Sequence, residues 1–99
     1  MSSGVGRNRV GSVNGTGANL DVKTIGFKPR VVVINNIAGL CMGKWVEGMA
    51  DATAIKTVTD GTISLAATLG ITPLSNGFRI GADTDLNVDG ELIRWEAYE

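Results

Sequence analysis

PRVVVINN, residues 29–36, decides how the rest of the chain is read. Val31 to Ile34 are four consecutive β-branched residues, which pack well on a pleated sheet and lose side-chain freedom in a helix. Pro29 has no amide hydrogen to give to a sheet, so it opens the segment instead of lying inside it. A strand this continuously apolar is expected to be covered on both faces, by another layer of the fold or by a neighbouring subunit.

Working outward, the same period of two recurs. ELIRWEAY (91–98) sets Ile93, Trp95 and Ala97 against Leu92, Arg94, Glu96 and Tyr98. NLDVKTI (19–25) sets Leu20 and Val22 against Asp21 and Lys23, and LCMGKWVE (40–47) alternates more weakly around Cys41, Gly43 and Trp45. FRIG (78–81) reads as a short strand, and ISLAA (63–67) as a strand with Ile63 and Leu65 inward. Asp60-Gly61 and Asn76-Gly77 are hairpin and turn signals, GFKP a further turn, and LGITPLSNG (69–77) a loop. The alanine-rich start of ADATAIKT (50–57) is compatible with one helical turn.

No stretch holds an apolar stripe at helical spacing beyond two turns. Val, Ile and Thr make up 27 of the 99 residues and Gly another 14, the composition of sheets joined by tight turns. The expected fold is all-β: an antiparallel β-sandwich or small barrel of six to eight short strands over residues 19–99. Residues 1–18, with five glycines and no acidic residue, read as a flexible glycine-rich N-terminal arm.

Composition narrows the function. At 99 residues and 43% hydrophobic the chain supports one domain with a small core. It has no His and one Cys, Cys41, which removes an intramolecular disulfide, His/Cys zinc sites and the commonest general base. No enzyme and no cofactor are expected; carboxylates such as Asp51 and Asp60 remain, with nothing in the sequence to place them in one cleft. No membrane span and no secretory signal are expected, because apolar runs are short and none follows Arg7 and Arg9.

The net charge of −1 predicts no strong attraction to nucleic acid. Its distribution is uneven: residues 1–30 carry five basic side chains against Asp21, and residues 83–99 carry six acids against Arg94. Contact with protein, either another copy or an acidic surface, is favoured over nucleic acid, because the basic end has no aromatics to stack on bases.

Asp85, Asn87, Asp89, Gly90 and Glu96 match the spacing of an EF-hand calcium loop. The flanking residues, however, cannot supply the two helices that motif requires, and Glu96 falls in an alternating strand. A turn at Val88-Asp89-Gly90 explains the same residues. A non-EF calcium site using Asp83, Asp85, Asn87 and Asp89 stays open as an alternative. GLCMGKW lacks the spacing and the Ser or Thr of a phosphate-binding loop, GVGRNRVG lacks that of a dinucleotide fingerprint, and Asn14-Gly15-Thr16 reads as a turn before it reads as a glycosylation acceptor. Cys41 reads as a small buried hydrophobe, and Trp45 and Trp95 as core residues, with a sugar-stacking platform as the alternative.

The order GTGANLDV, IGFKPRVVVINN, KWVEGMADATAIKT and GITPLSNGFRIGADTDLNVDGELIRWEA resembles small virion proteins of tailed bacteriophages over residues 15–97, and a short single-domain member looks like a head decoration, or cement, protein. The resemblance implies a homo-oligomer, a trimer foremost, that is made in the host bacterial cytoplasm and stabilises the head by binding the major capsid protein on its outer surface. Arg7, Asn8, Arg9 and Val10 are then the candidates for capsid contact, and Val32 and Ile34 for the subunit interface. The alternative within the same class is a tail or fibre module that binds host-surface glycans through Trp45 or Tyr98.

Overall fold

The period-two segments pair into one antiparallel sheet. The structure, a computed structural model, describes residues 7–99. Eight strands follow one another: β1 (Asn8–Asn14), β2 (Leu20–Val22), β3 (Val31–Asn36), β4 (Cys41–Val46), β5 (Thr53–Thr57), β6 (Ile63–Leu74), β7 (Gly77–Ile80) and β8 (Leu92–Tyr98). They lie in the order β1-β8-β3-β4-β5-β6-β7-β2, every neighbouring pair antiparallel. The described residues contain no helix, so the alanine-rich start of the 50–57 segment is a turn entering β5.

Connectivity forces this sheet to curl. β1 and β2 are its two edges, yet only residues 15–19 join them. Laid flat, eight strands spaced ~4.8 Å apart would put the edges ~34 Å from each other. The six residue steps from Asn14 to Leu20 reach at most ~22 Å. The sheet therefore closes halfway into a barrel, and the side chains on its concave face become the core.

That core takes the alternate residues the sequence marks. Val32 and Ile34 of β3, Trp45 of β4, and Ile93, Trp95 and Ala97 of β8 are buried together with Phe78 and Ile80 of β7. Phe78 meets Trp95 edge to face, with ring centroids 5.4 Å apart. Ile25 and Phe27, in the connection from β2 to β3, and Leu86, in the connection from β7 to β8, close the open side.

Three sequence expectations change. Residues 8–14, expected within the flexible arm, pair with β8 over their whole length, Asn8 opposite Tyr98 through Asn14 opposite Leu92; residues 1–6 of that arm lie outside the described residues. LGITPLSNG is a continuation of β6 and a two-residue turn into β7, not a loop. Ile63 and Leu65 point outward, with 70% and 64% of their surface exposed.

Candidate interaction surface

Register assigns each strand residue to a face. Trp95, Ile34 and Gly43 stand in one row with Lys56 and Ser64 on the concave side. The next row, on the convex side, runs Val10, Glu96, Val33, Lys44, Ile55, Leu65 across six adjacent strands. One row further along, Ser12, Arg94, Asn35, Met42, Thr57 and Ile63 stand side by side. From Val10 to Ile55 the first of these convex rows alternates apolar and charged side chains, and among the described residues no second layer covers the face.

Besides Val10 on β1, several exposed apolar side chains lie at or beside one end of the sheet. The β3–β4 and β5–β6 hairpins turn at the same end, and the Thr59 hydroxyl of one donates to the Gly39 carbonyl of the other at 3.0 Å. Leu40, held at φ 56° in the first turn, is 70% exposed, alongside exposed Ile37, Ile63 and Leu65. The opposite end is ionic: Arg30 pairs with Glu47 at 3.1 Å, and Arg7 with Glu99.

The expected capsid-contact residues divide. Arg7 donates from Nε and Nη2 to both carboxylate oxygens of Glu99, at 2.9 and 2.6 Å, and its guanidinium lies 5.2 Å from the centroid of the Phe27 ring. The Glu99 carboxyl is held below its ordinary range by that hydrogen bond first and the Arg7 charge second. Part of the basic start and part of the acidic end of the sequence therefore neutralise each other within one chain. Asn8, Arg9 and Val10 are exposed on edge strand β1. Val32 and Ile34, expected at a subunit interface, have no exposed surface and pack the chain's own core. The half-buried side of β3 is the other one, Val31, Val33 and Asn35, so the expected double covering is only half supplied from within the chain.

The Asp83 to Asp89 cluster is already occupied by the protein's own groups. Asp83 accepts the amides of Asp85 and Leu86 at 2.8 and 3.1 Å. The Lys56 ammonium lies 3.1 Å from Asp83 Oδ2 and 2.7 Å from Asp85 Oδ2, and its pKa is raised, by the Asp85 hydrogen bond most and by Asp83 as well. A cation entering here would have to displace an ammonium that the fold holds in place. Among the described residues no three His, Cys, Asp or Glu side chains converge as a metal site.

Asn87 serves the fold. Its Oδ1 accepts the amides of Thr16 and Gly17 at 2.8 and 3.3 Å, while Nδ2 faces the carbonyls of Ala18, Gly81 and Ile80 at 2.6, 2.9 and 3.3 Å. It fastens the short link between the sheet's two edges to the segment after β7. Asp89 and Gly90 form the expected turn, with Gly90 at φ 80° and the Glu91 amide donating to the Val88 carbonyl at 3.0 Å.

The remaining candidates resolve by burial and position. Trp45 is buried, and its indole N–H donates to the Ala50 carbonyl at 3.0 Å, so its ring faces offer no platform for a sugar. Tyr98 is partly exposed and donates to Glu96 at 2.5 Å, a bond that raises the phenol's pKa. Cys41 is buried, with its thiol directed at the Gly39 carbonyl. Asp51 and Asp60 lie before and after β5, at opposite ends of that strand. Among the described residues no helix is long and apolar enough to cross a membrane. Searches against protein-family models, curated proteins and solved structures found no match to the chain.

Proposed function

We infer that this protein is a non-enzymatic assembly module of a tailed-phage virion, one that decorates the outer surface of the head and stabilises it by binding the major capsid protein. The observation that carries this reading is the apolar exposure at and beside two linked hairpin tips, where Leu40 in one turn, Ile63 at the start of β6 and Leu65 two residues further along it are each about two-thirds exposed. Small rigid domains seldom leave such side chains together in water unless a partner covers them. The resemblance of residues 15–97 to virion proteins supplies the partner's class.

The mechanism is mass action. Fully burying one such side chain contributes ~1.5–3 kcal/mol, so three that are two-thirds exposed contribute roughly 3–6 kcal/mol per copy against a complementary shell surface. That is weak for a single copy. Repetition over a symmetric shell converts weak contacts into lasting attachment where copies are linked to one another. A ligand that binds only assembled heads makes disassembly less favourable. Asn8 and Arg9, exposed on β1 at the far side of the sheet, are proposed as a second contact that lets one copy bridge neighbouring capsid subunits.

Immunogold labelling of purified virions tests this directly, with an antibody raised against the recombinant protein. Gold over the heads is expected. Gold confined to tails would transfer the protein to the tail or fibre class, and unlabelled virions would end the reading.

A further inference from the structure

We propose that the outer edge of β1 is a docking site for an extended segment of a partner protein, which joins the eight-stranded sheet as a further strand antiparallel to β1. The hydrogen-bond pattern defines the edge. In an antiparallel pair, directly opposed residues alternate between those that exchange backbone hydrogen bonds and those that do not. Just before β1 the Arg7 carbonyl accepts the Glu99 amide at 2.8 Å, and just past it the Gly15 amide donates to the Glu91 carbonyl at 2.9 Å. Arg7, Arg9, Gly11, Val13 and Gly15 therefore turn their backbone groups toward β8. Asn8, Val10, Ser12 and Asn14 turn theirs the other way, off the sheet.

Those four residues each present an amide and a carbonyl, and all four are exposed. Among the described residues no strand or connection bonds to them on that side. Proteins commonly blunt an open edge by keeping it short or charged. The other edge is of that kind: β2 has three residues, and Asp21 at its centre is held by Arg79 at 2.7 Å with Lys23 beside it. β1 has seven, with no proline and Arg9 as its one charge. Such an edge is a template for one more strand, whose main chain supplies affinity and whose alternate side chains supply selectivity. A single strand meets the edge alone, so the curl of the sheet does not part the two.

The side chains define the segment. Gly11 lies against the Trp95 ring on the concave side, so Arg9 and Val13, two residues away along the strand, share that side. Arg9 is exposed and has no acidic partner among the described residues. A carboxylate belongs opposite it, because unlike charges on facing strands attract. Val13 is half-buried against the core and takes an apolar residue opposite. Gly11, with no side chain of its own, leaves room for a second apolar residue. On the convex side Asn8, Val10, Ser12 and Asn14 face neutral β-branched residues, which suit a pleated strand. The segment is thus extended and free of proline, and it alternates β-branched positions with two apolar residues and then an acid, in that order from its N-terminus. The site does not rest on the virion reading, and its test needs no phage heads, so its failure leaves that reading standing.

The probe is the synthetic peptide Thr-Val-Thr-Leu-Thr-Glu-Thr, blocked at both ends and titrated to ~1 mM against the isotope-labelled chain by NMR, a concentration that registers weak binding. In the free chain the Val10 and Ser12 amides should exchange with solvent quickly and those of Gly11 and Val13 slowly; bound peptide should slow the first two. N-methylation of the threonines opposite Val10 and Ser12 should abolish binding, whereas methylation of the leucine or glutamate amide, which points away from the edge, should be tolerated. Arg9→Glu and a lysine in place of the peptide's glutamate should each weaken binding at least ~3-fold, and the two changes together should restore it. No saturable binding at ~1 mM, Val10 and Ser12 amides already slow in the free chain, indifference to threonine methylation, or no rescue by the paired charge swap would each overturn the proposal.

Discussion

Replacing Asn87 with Ala removes the amide that fastens the link between the two edges of the sheet. Three of its hydrogen bonds are short: 2.8 Å from the Thr16 amide, 2.6 Å to the Ala18 carbonyl and 2.9 Å to the Gly81 carbonyl. At a net ~1 kcal/mol each, with backbone groups then left unpaired in a buried site, the loss comes to ~3 kcal/mol. A domain of this size has ~5–15 kcal/mol in total, so roughly a fifth to three-fifths of its stability goes. At ~4–8 °C per kcal/mol, the melting temperature falls by ~12–24 °C. Urea unfolding read by tryptophan fluorescence measures the loss, and hydrogen exchange at the Thr16 and Gly17 amides localises it. Asn87→Asp is the sharper variant: it keeps the acceptor toward Thr16 but aims a second oxygen at three carbonyls, and it should be worse than Ala. An alanine variant within ~1 kcal/mol of wild type, or an aspartate variant that is tolerated, would show that Asn87 does not close the sheet.

Other consequences follow from the same geometry. Calcium at millimolar concentration should leave the melting temperature unchanged, since the Lys56 ammonium already bridges Asp83 and Asp85; a rise of several degrees would mean that the ion displaces it. Gly77→Ala would drive a Cβ into the Val22 carbonyl oxygen, so β7 and β2 must separate, at a cost near or above ~3 kcal/mol in chemical denaturation. The Asp21 carboxyl is held below its ordinary value of 3.8, first by its hydrogen bond from Arg79. Because the folded pKa is the lower one, this pair stabilises the fold at neutral pH and ceases to as pH drops from 3.8 through the folded value. Asp21→Asn should thus cost ~0.2–1 kcal/mol at pH 7, and the difference from wild type should vanish in acid. Leu65→Glu, on the exposed hairpin, should leave stability within ~0.5 kcal/mol and abolish attachment to heads.

Alternation in β3, β4 and β8 was readable because those strands lie in the middle of the sheet, with one face on the core. Ile93, Trp95 and Ala97 point inward as their spacing implies. The same spacing misleads for Ile63 and Leu65: period two reveals that a strand has two faces, and only its neighbours decide which face is buried. Residues 63–66 pair with β5 on a stretch where even the concave row, Lys56 and Ser64, is polar.

Pro73 argued for a loop, yet β6 runs through it. β5 begins opposite Ile71, so at Pro73 β6 has a strand on one side only, where a missing amide hydrogen costs little. The glycines of the first eighteen residues argued for flexibility. Gly11, however, lies directly against Trp95, where a Cβ would sit 2.6 Å from the ring, so a glycine is what lets β1 join the sheet. Composition cannot separate a glycine that loosens a chain from one that permits close packing. Asn87 is the hardest case. Its partners come from residues 16–18 and 80–81, far apart in sequence, and the calcium-like spacing around it pointed elsewhere. The row Val10, Glu96, Val33, Lys44, Ile55 is likewise invisible until five strands are in register.

Heat-induced genome release from phage heads that lack this protein, measured with and without the purified chain added back, tests the decoration reading most directly. The account predicts that the wild-type chain binds such heads and raises the release temperature, and that Leu65→Glu does neither. Heads that neither bind the wild-type chain nor gain stability from it would contradict the account.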